Sequence, residues 1–167
     1  TLLPFSQEAF TTNTTNWLGA SGNLWNSSAN WDNGIPTSSS FAQIPITAET
    51  PNIAAGNSAN AGNIAITEGT QITLNSGASL IITGTSNGAV TYHRDLEDQI
   101  DKLKAWYLVS SPVQGETMTN MRSNNSFITN EDNEISFASY DNTQTIATDR
   151  WSYFSDTATE DLITGKG

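Results

Sequence analysis

The sequence predicts an all-β protein: a β-solenoid or stacked-strand region behind a tryptophan-rich N-terminal cap, followed by a second β region with one short helix. Three observations carry this. The segments "IAITEGTQ", "ITLNSGAS" and "LIITGTSN" repeat from Ile64, Ile72 and Leu80. Trp17, Trp25 and Trp31, three of the five tryptophans, stand just before that repeat among Gly, Asn, Ser and Ala. Charge then changes sharply near residue 90: residues 1–90 hold no Lys or Arg and only Glu8, Asp32, Glu49 and Glu68 as acids. The shift predicts two regions, 1–90 and 91–167.

Within each repeat unit apolar residues sit two positions apart, so Ile64/Ile66, Ile72/Leu74 and Leu80/Ile82 face one side of their strands. Glycines at 69, 77 and 84 follow as turns. Two architectures satisfy this pattern. In a solenoid, three such strands form one rung of ~24 residues. In an antiparallel meander, tight Gly turns join neighbours. "IPI" at 44–46 and "PNI" at 51–53 read as earlier strands of the same stack.

"RDLEDQIDKLKAW", residues 94–106, predicts the helix. Leu96, Ile100 and Leu103 fall on one face, Asp95 stands at the start, and Lys102 and Lys104 suit the C-terminal end. "AWYLVSSPV" reads as a buried strand stopped by Pro112, and "SFITN", "EISFASY" and "RWSYFS" as further strands between Asn-rich turns.

Composition narrows the function. Seventeen acids against six basic residues give a formal net charge of −11. A nucleic-acid partner needs a basic patch, and none is present. No apolar run approaches the ~20 residues of a spanning helix, so membrane insertion is not expected. With no cysteine, disulfide and thiol chemistry are excluded. No phosphate loop, nucleophile elbow or cofactor fingerprint occurs. His93, the sole histidine, reads as a junction residue.

Four blocks carry a resemblance: "LWNSSANWDNGIPTSSSFAQIPI", "NIAITEGTQITLNSGASLIITG", then "VTYHR" with "WYLVSSPVQG", then "WSYF" with "GKG". In this order they resemble secreted cell-surface, adhesin-like proteins of Bacteroidetes, flavobacteria especially, which are cargo of the type IX secretion system. The resemblance implies an extracellular or cell-surface location and a non-catalytic structural or adhesive role. It also implies that the chain is a piece of a longer protein. Partners would be other domains or copies of a surface protein, or extracellular glycan. The helix-like "EDQIDKLK" departs from the usual pattern of the family.

Two sets of residues stand out as candidate sites. Trp17, Trp25 and Trp31 would stack on sugar rings as a carbohydrate-binding module does, or would close the hydrophobic end of a strand stack. Their place directly before the repeat favours the cap. Trp17, farthest from the repeat, has the weakest reason of the three to be buried. Glu131, Asp132 and Glu134, in "NEDNE", gather hard oxygen ligands in a turn suited to calcium, without the spacing of an EF-hand.

Overall fold

The computed structural model describes residues 13–96 and 107–166. The predicted helix over 94–106 therefore lies almost wholly outside the described residues; Asp95 and Leu96, at its start, are not helical. The fold is mostly strands with one helix, in two compact units, Thr1–Asp95 and Leu96–Gly167.

In the first unit the chain forms β1 (Asn13–Asn16), β2 (Ser40–Ile44), β3 (Asn52–Ile53), β4 (Ser58–Ala61), β5 (Asn63–Ile66), β6 (Gln71–Leu74), β7 (Ser79–Ile82), β8 (Ser86–Asn87) and β9 (Ala89–Tyr92). Three sheets result, ordered β1-β2-β5-β8, β3-β6-β9 and β4-β7, and every pairing in them is parallel. An antiparallel meander is thereby ruled out. From β2 onward the chain visits the three sheets in rotation. Phe41 pairs with Asn63, 22 positions on; Asn52 pairs with Thr73 and Ser58 with Ser79, each 21 on. The eight-residue repeat read from the sequence thus places successive units in three different small sheets, and strands of one sheet lie 21 or 22 residues apart, a little less than the ~24 expected.

The alternation of apolar residues sets which side is inside. Ala42, Ile44, Ile53, Ala59, Ala61, Ile64, Ile66, Ile72 and Leu74 are buried in one core, and Leu80, Ile82, Val90 and Tyr92 pack against it half-buried. Register stacks like on like: Ile44 on Ile66, Ile53 on Leu74 and Leu74 on Tyr92. Such close stacking dictates glycine where strands turn a corner. Gly88 has φ 99°, and a Cβ there would stand 2.6 Å from the Ile66 carbonyl oxygen. Polar side chains also bond between turns. Asn75 Nδ2 donates to Asn52 Oδ1 at 2.8 Å, and Ser79 Oγ donates to Ser58 Oγ at 2.9 Å.

The second unit contains α1 (Met118–Asn124) and an antiparallel pair, β10 (Glu134–Tyr140) and β11 (Trp151–Ser155), with a bulge between Glu134 and Ala138. Thr117 caps α1, its side chain accepting from the Asn120 N–H at 3.1 Å. Met118, Ile135 and Ala158 are buried, with Phe127, Phe137, Phe154 and Leu162 packed round them. The Arg122 guanidinium donates to the carbonyls of Asp156 and Ala158, tying the helix to the chain beyond β11.

Two strand expectations need correction here. Tyr107–Val113 forms no strand, and Leu108 is 79% exposed. The run contains strand formers but lies in no ladder; Ser111 instead turns its hydroxyl onto the Val113 carbonyl at 2.7 Å. "SFITN" shrinks to a single bridge, Thr129 with Ile135, beside the start of β10. Among the described residues no helix is long and apolar enough to cross a membrane.

Candidate functional site: the tryptophan cluster

Trp17 directly follows β1, where its N–H bonds to the Gln43 carbonyl and so extends the parallel ladder by one step. The chain then loops through residues 18–30 and returns, and Trp31 pairs with Trp17 in an antiparallel bridge. Trp25 is anchored midway, its N–H bonding to the Asn52 carbonyl at the edge of β3. The tryptophans thus meet in space although eight and then six residues separate them.

All three rings are buried: Trp17 1%, Trp25 1% and Trp31 4% exposed. Trp31 is the hub. Its ring meets Trp17 edge-on at 5.2 Å and 77°, and Trp25 at 4.7 Å and 70°. Edge-to-face pairs of this kind contribute about 0.5–1.5 kcal/mol each beyond area burial. Two of the indole N–H groups are satisfied. Trp17 Nε1 donates to the Glu49 carbonyl at 2.7 Å, and Trp31 Nε1 donates to the Trp25 carbonyl at 2.8 Å. Trp25 Nε1 is buried without a hydrogen-bond partner. No ring presents a face on which a sugar would stack, and Trp17, the one with the weakest sequence reason to be buried, is among the two most buried.

Two polar residues hold the loop, and neither stood out in the sequence. Asn30 is fully buried. Its Oδ1 accepts from the Ser21 N–H at 2.7 Å, its Nδ2 donates to the Leu24 carbonyl at 2.9 Å, and its own carbonyl accepts from the Leu18 N–H at 2.8 Å. Asp32 is exposed but receives both the Asn16 N–H and the Asn16 Nδ2, each at 2.7 Å. Those bonds, the backbone one foremost, hold its carboxyl below the usual carboxylate range. A run this rich in Asn and Ser hides both residues, since composition gives no reason to choose them over their neighbours.

The acidic turn is ordered by one asparagine. Asn130 Oδ1 accepts from the N–H groups of Asp132, at 3.0 Å, and Glu134, at 2.9 Å, while Asn130 Nδ2 donates to Glu134 Oε2 at 3.0 Å. Asn133 takes up a left-handed conformation, φ 60°, which Asn tolerates better than most residues. Glu131 and Asp132 are exposed. Among the described residues no three His, Asp or Glu side chains stand together so as to hold a metal ion.

His93 borders a shallow open groove of about 440 Å³ with Ala54, Ala55, Asn75, Ser76 and Asp95. Ser, His and Asp are the residue types of a nucleophile relay. Here, however, Ser76 Oγ accepts from the backbone N–H of Asp95 at 3.0 Å, and His93 is held through its backbone N–H on the Leu74 carbonyl at 2.8 Å.

With this geometry in view, one family comparison is informative. Residues 16–91 match the model of a family described as a domain of unknown function (DUF8693). The matched span runs from Asn16, at the clasp with Asp32, to Thr91 in β9, and so takes in the tryptophan cluster and strands β2 to β8. No curated protein and no solved structure matches the chain.

Proposed function

We propose that the first unit is a short β-solenoid whose N-terminal end is closed by Trp17, Trp25 and Trp31. In this reading the chain serves as a non-catalytic structural or adhesive segment of a secreted cell-surface protein. The observation that carries it is the inward turn of the tryptophan cluster. A strand stack exposes the hydrophobic cross-section of its terminal rung and needs a cover. Three rings, each able to bury about 150–250 Å², supply one. Worth about 25 cal/mol per Å² of area removed from water, that burial offsets the ordering of a polar loop. The rotation of the chain through three parallel sheets at intervals of 21 or 22 residues supports the winding. The excess of acids keeps such a surface soluble and selective. The secreted, type IX-exported character rests on the resemblance to adhesin-like surface proteins of Bacteroidetes.

The reading is tested on cells that make the parent protein. Antiserum to this chain is expected to label intact cells, and deleting the segment is expected to weaken attachment to surfaces without affecting polysaccharide hydrolysis. Labelling only after permeabilisation, or loss of hydrolysis with attachment intact, would overturn it.

A further inference from the structure

Two Asn–Gly pairs occur in the chain, Asn33–Gly34 and Asn87–Gly88. Glycine leaves the backbone nitrogen that follows an asparagine unshielded by a Cβ, so that nitrogen can reach the asparagine's own side-chain carbonyl carbon. By sequence the two pairs are equal, and both asparagines are exposed. The structure separates them. The Asn33 side chain is tethered: its Nδ2 donates to Asn13 Oδ1 and to the Thr14 carbonyl, at 3.1 Å each. The Gly34 carbonyl beyond it accepts from Thr15 Oγ1 at 2.7 Å. Asn87 has no such hold. It ends β8, a strand of two residues at the edge of its sheet, paired on one side only through Ser86 on Ile64 and Asn87 on Ala65. Among the described residues neither the Asn87 side chain nor the Gly88 N–H has a hydrogen-bond partner.

We propose that Asn87–Gly88 is a self-modification site, at which the folded chain converts Asn87 to aspartate and isoaspartate with water as the only co-reactant. The Gly88 nitrogen attacks Asn87 Cγ. The new N–Cγ bond closes a succinimide ring, the Cγ–Nδ2 bond breaks, and ammonia leaves with the Gly88 proton. Water then opens the ring. Opening at Cγ gives aspartate; opening at the main-chain carbonyl gives isoaspartate, whose backbone runs through the side chain. Closing the ring consumes the Gly88 N–H, which is in no ladder, so no sheet bond is lost in reaching it. An extended strand holds nitrogen and Cγ apart, and a two-residue edge strand is the kind of element that opens locally at little cost. The isoaspartate product has a consequence that aspartate lacks. It adds one backbone atom at the corner between β8 and β9, where even a Cβ on Gly88 would stand 2.6 Å from the Ile66 carbonyl oxygen. With no room there, the extra length shifts β9 off β6, on which it pairs from Ala89 on Gln71 to Tyr92 on Leu74. The inference is independent of what the segment does on a cell surface.

The test holds the full chain in mildly alkaline buffer, folded and in urea, and follows both Asn–Gly peptides by mass spectrometry, with fragmentation that tells isoaspartate from aspartate. In urea the two asparagines are expected to react at like rates. In the folded chain Asn87 is expected to react at least about tenfold faster than Asn33. The isoaspartate chain is expected to melt below both the native chain and Asn87→Asp, which carries the charge without the added atom. Asn87→Ser, at an exposed edge position, is expected to abolish the reaction at this peptide and to leave Tm unchanged. Equal rates at the two sites in the folded chain, a folded-state preference for Asn33, or no reaction at folded Asn87 while the urea sample reacts would overturn the proposal. An isoaspartate chain that melts no lower than Asn87→Asp would do the same for its effect on β9.

Discussion

Asn16 and Asp32 clasp one another through three hydrogen bonds. Asn16 gives both its backbone N–H and its side-chain Nδ2 to the Asp32 carboxylate, at 2.7 Å each, and the Asp32 N–H returns to the Asn16 carbonyl at 3.1 Å. The clasp lies one residue outside the Trp17–Trp31 bridge and fixes how the two ring-bearing segments run past each other.

The clasp makes the first unit sensitive to acid. Because the folded Asp32 carboxyl titrates below its unfolded value, its contribution is fully present above an ordinary carboxylate pKa of about 4 and is lost as pH falls through the lowered folded value. Asp32→Ala is therefore expected to lower Tm at pH 7, with the gap to the native chain closing below about pH 4. Asp141, lowered mainly by the Thr143 hydroxyl, carries the same sign in the second unit. Thermal melts of both chains across pH 2–7 check this; a gap that widens in acid would contradict it.

The three tryptophans are not equivalent. Trp31 touches both of the others and donates to the Trp25 carbonyl. Trp31→Ala is expected to cost about 3–5 kcal/mol. Trp25→Phe removes an indole N–H that has no partner in the structure, and its expected cost is below about 1.5 kcal/mol. Urea titrations of the two variants give the order directly.

Asn30 is the polar centre of the loop. Asn30→Ala removes the bonds to the Ser21 N–H and the Leu24 carbonyl, both part-buried, and empties a fully buried side-chain site. Its expected cost is about 1–3 kcal/mol in all, below that of Trp31→Ala. Hydrogen exchange at Ser21 reports the same bond and should speed up in the variant.

What could be read from the sequence follows from how each signal is encoded. The strict two-residue alternation at Ile64/Ile66 and Ile72/Leu74 makes β5 and β6 legible, because a half-buried strand leaves no other pattern. Pairing is a different matter: β1 joins β2 at a distance of 27 positions, Asn13 on Ser40, and "NTTN" contains no apolar residue to announce it. The tryptophans were legible as a cluster, but not the burial of Trp17, which depends on the Glu49 carbonyl lying within reach. In the second unit, "MTNMRSN" has poor helix formers, and α1 is set by the Thr117 cap and by Arg122 bonding to distant carbonyls. "YLVSSPV" misleads for the opposite reason: residues that favour strands need a neighbour to pair with, and propensity does not supply one.

In the acidic turn, Asn130 binds the backbone N–H groups of Asp132 and Glu134 and the Glu134 carboxylate. Asn130→Ala is expected to destabilise the second unit by about 1–2 kcal/mol. Calcium binding at this turn is tested by calorimetry and by Tm with calcium and with EDTA. A rise in Tm that Glu131→Gln and Asp132→Asn abolish would place the ion at Glu131, Asp132 and Glu134; no heat and an unchanged Tm would rule it out.

The central claim is that the tryptophan cluster is an internal seal on a parallel stack, and indole hydrogen exchange followed by NMR tests it most directly. The N–H groups of Trp17 and Trp31, bonded to the carbonyls of Glu49 and Trp25, are expected to exchange only when the whole first unit unfolds, at the rate of the slowest backbone amides of β5 and β6. Exchange of either indole far ahead of those amides would contradict the account.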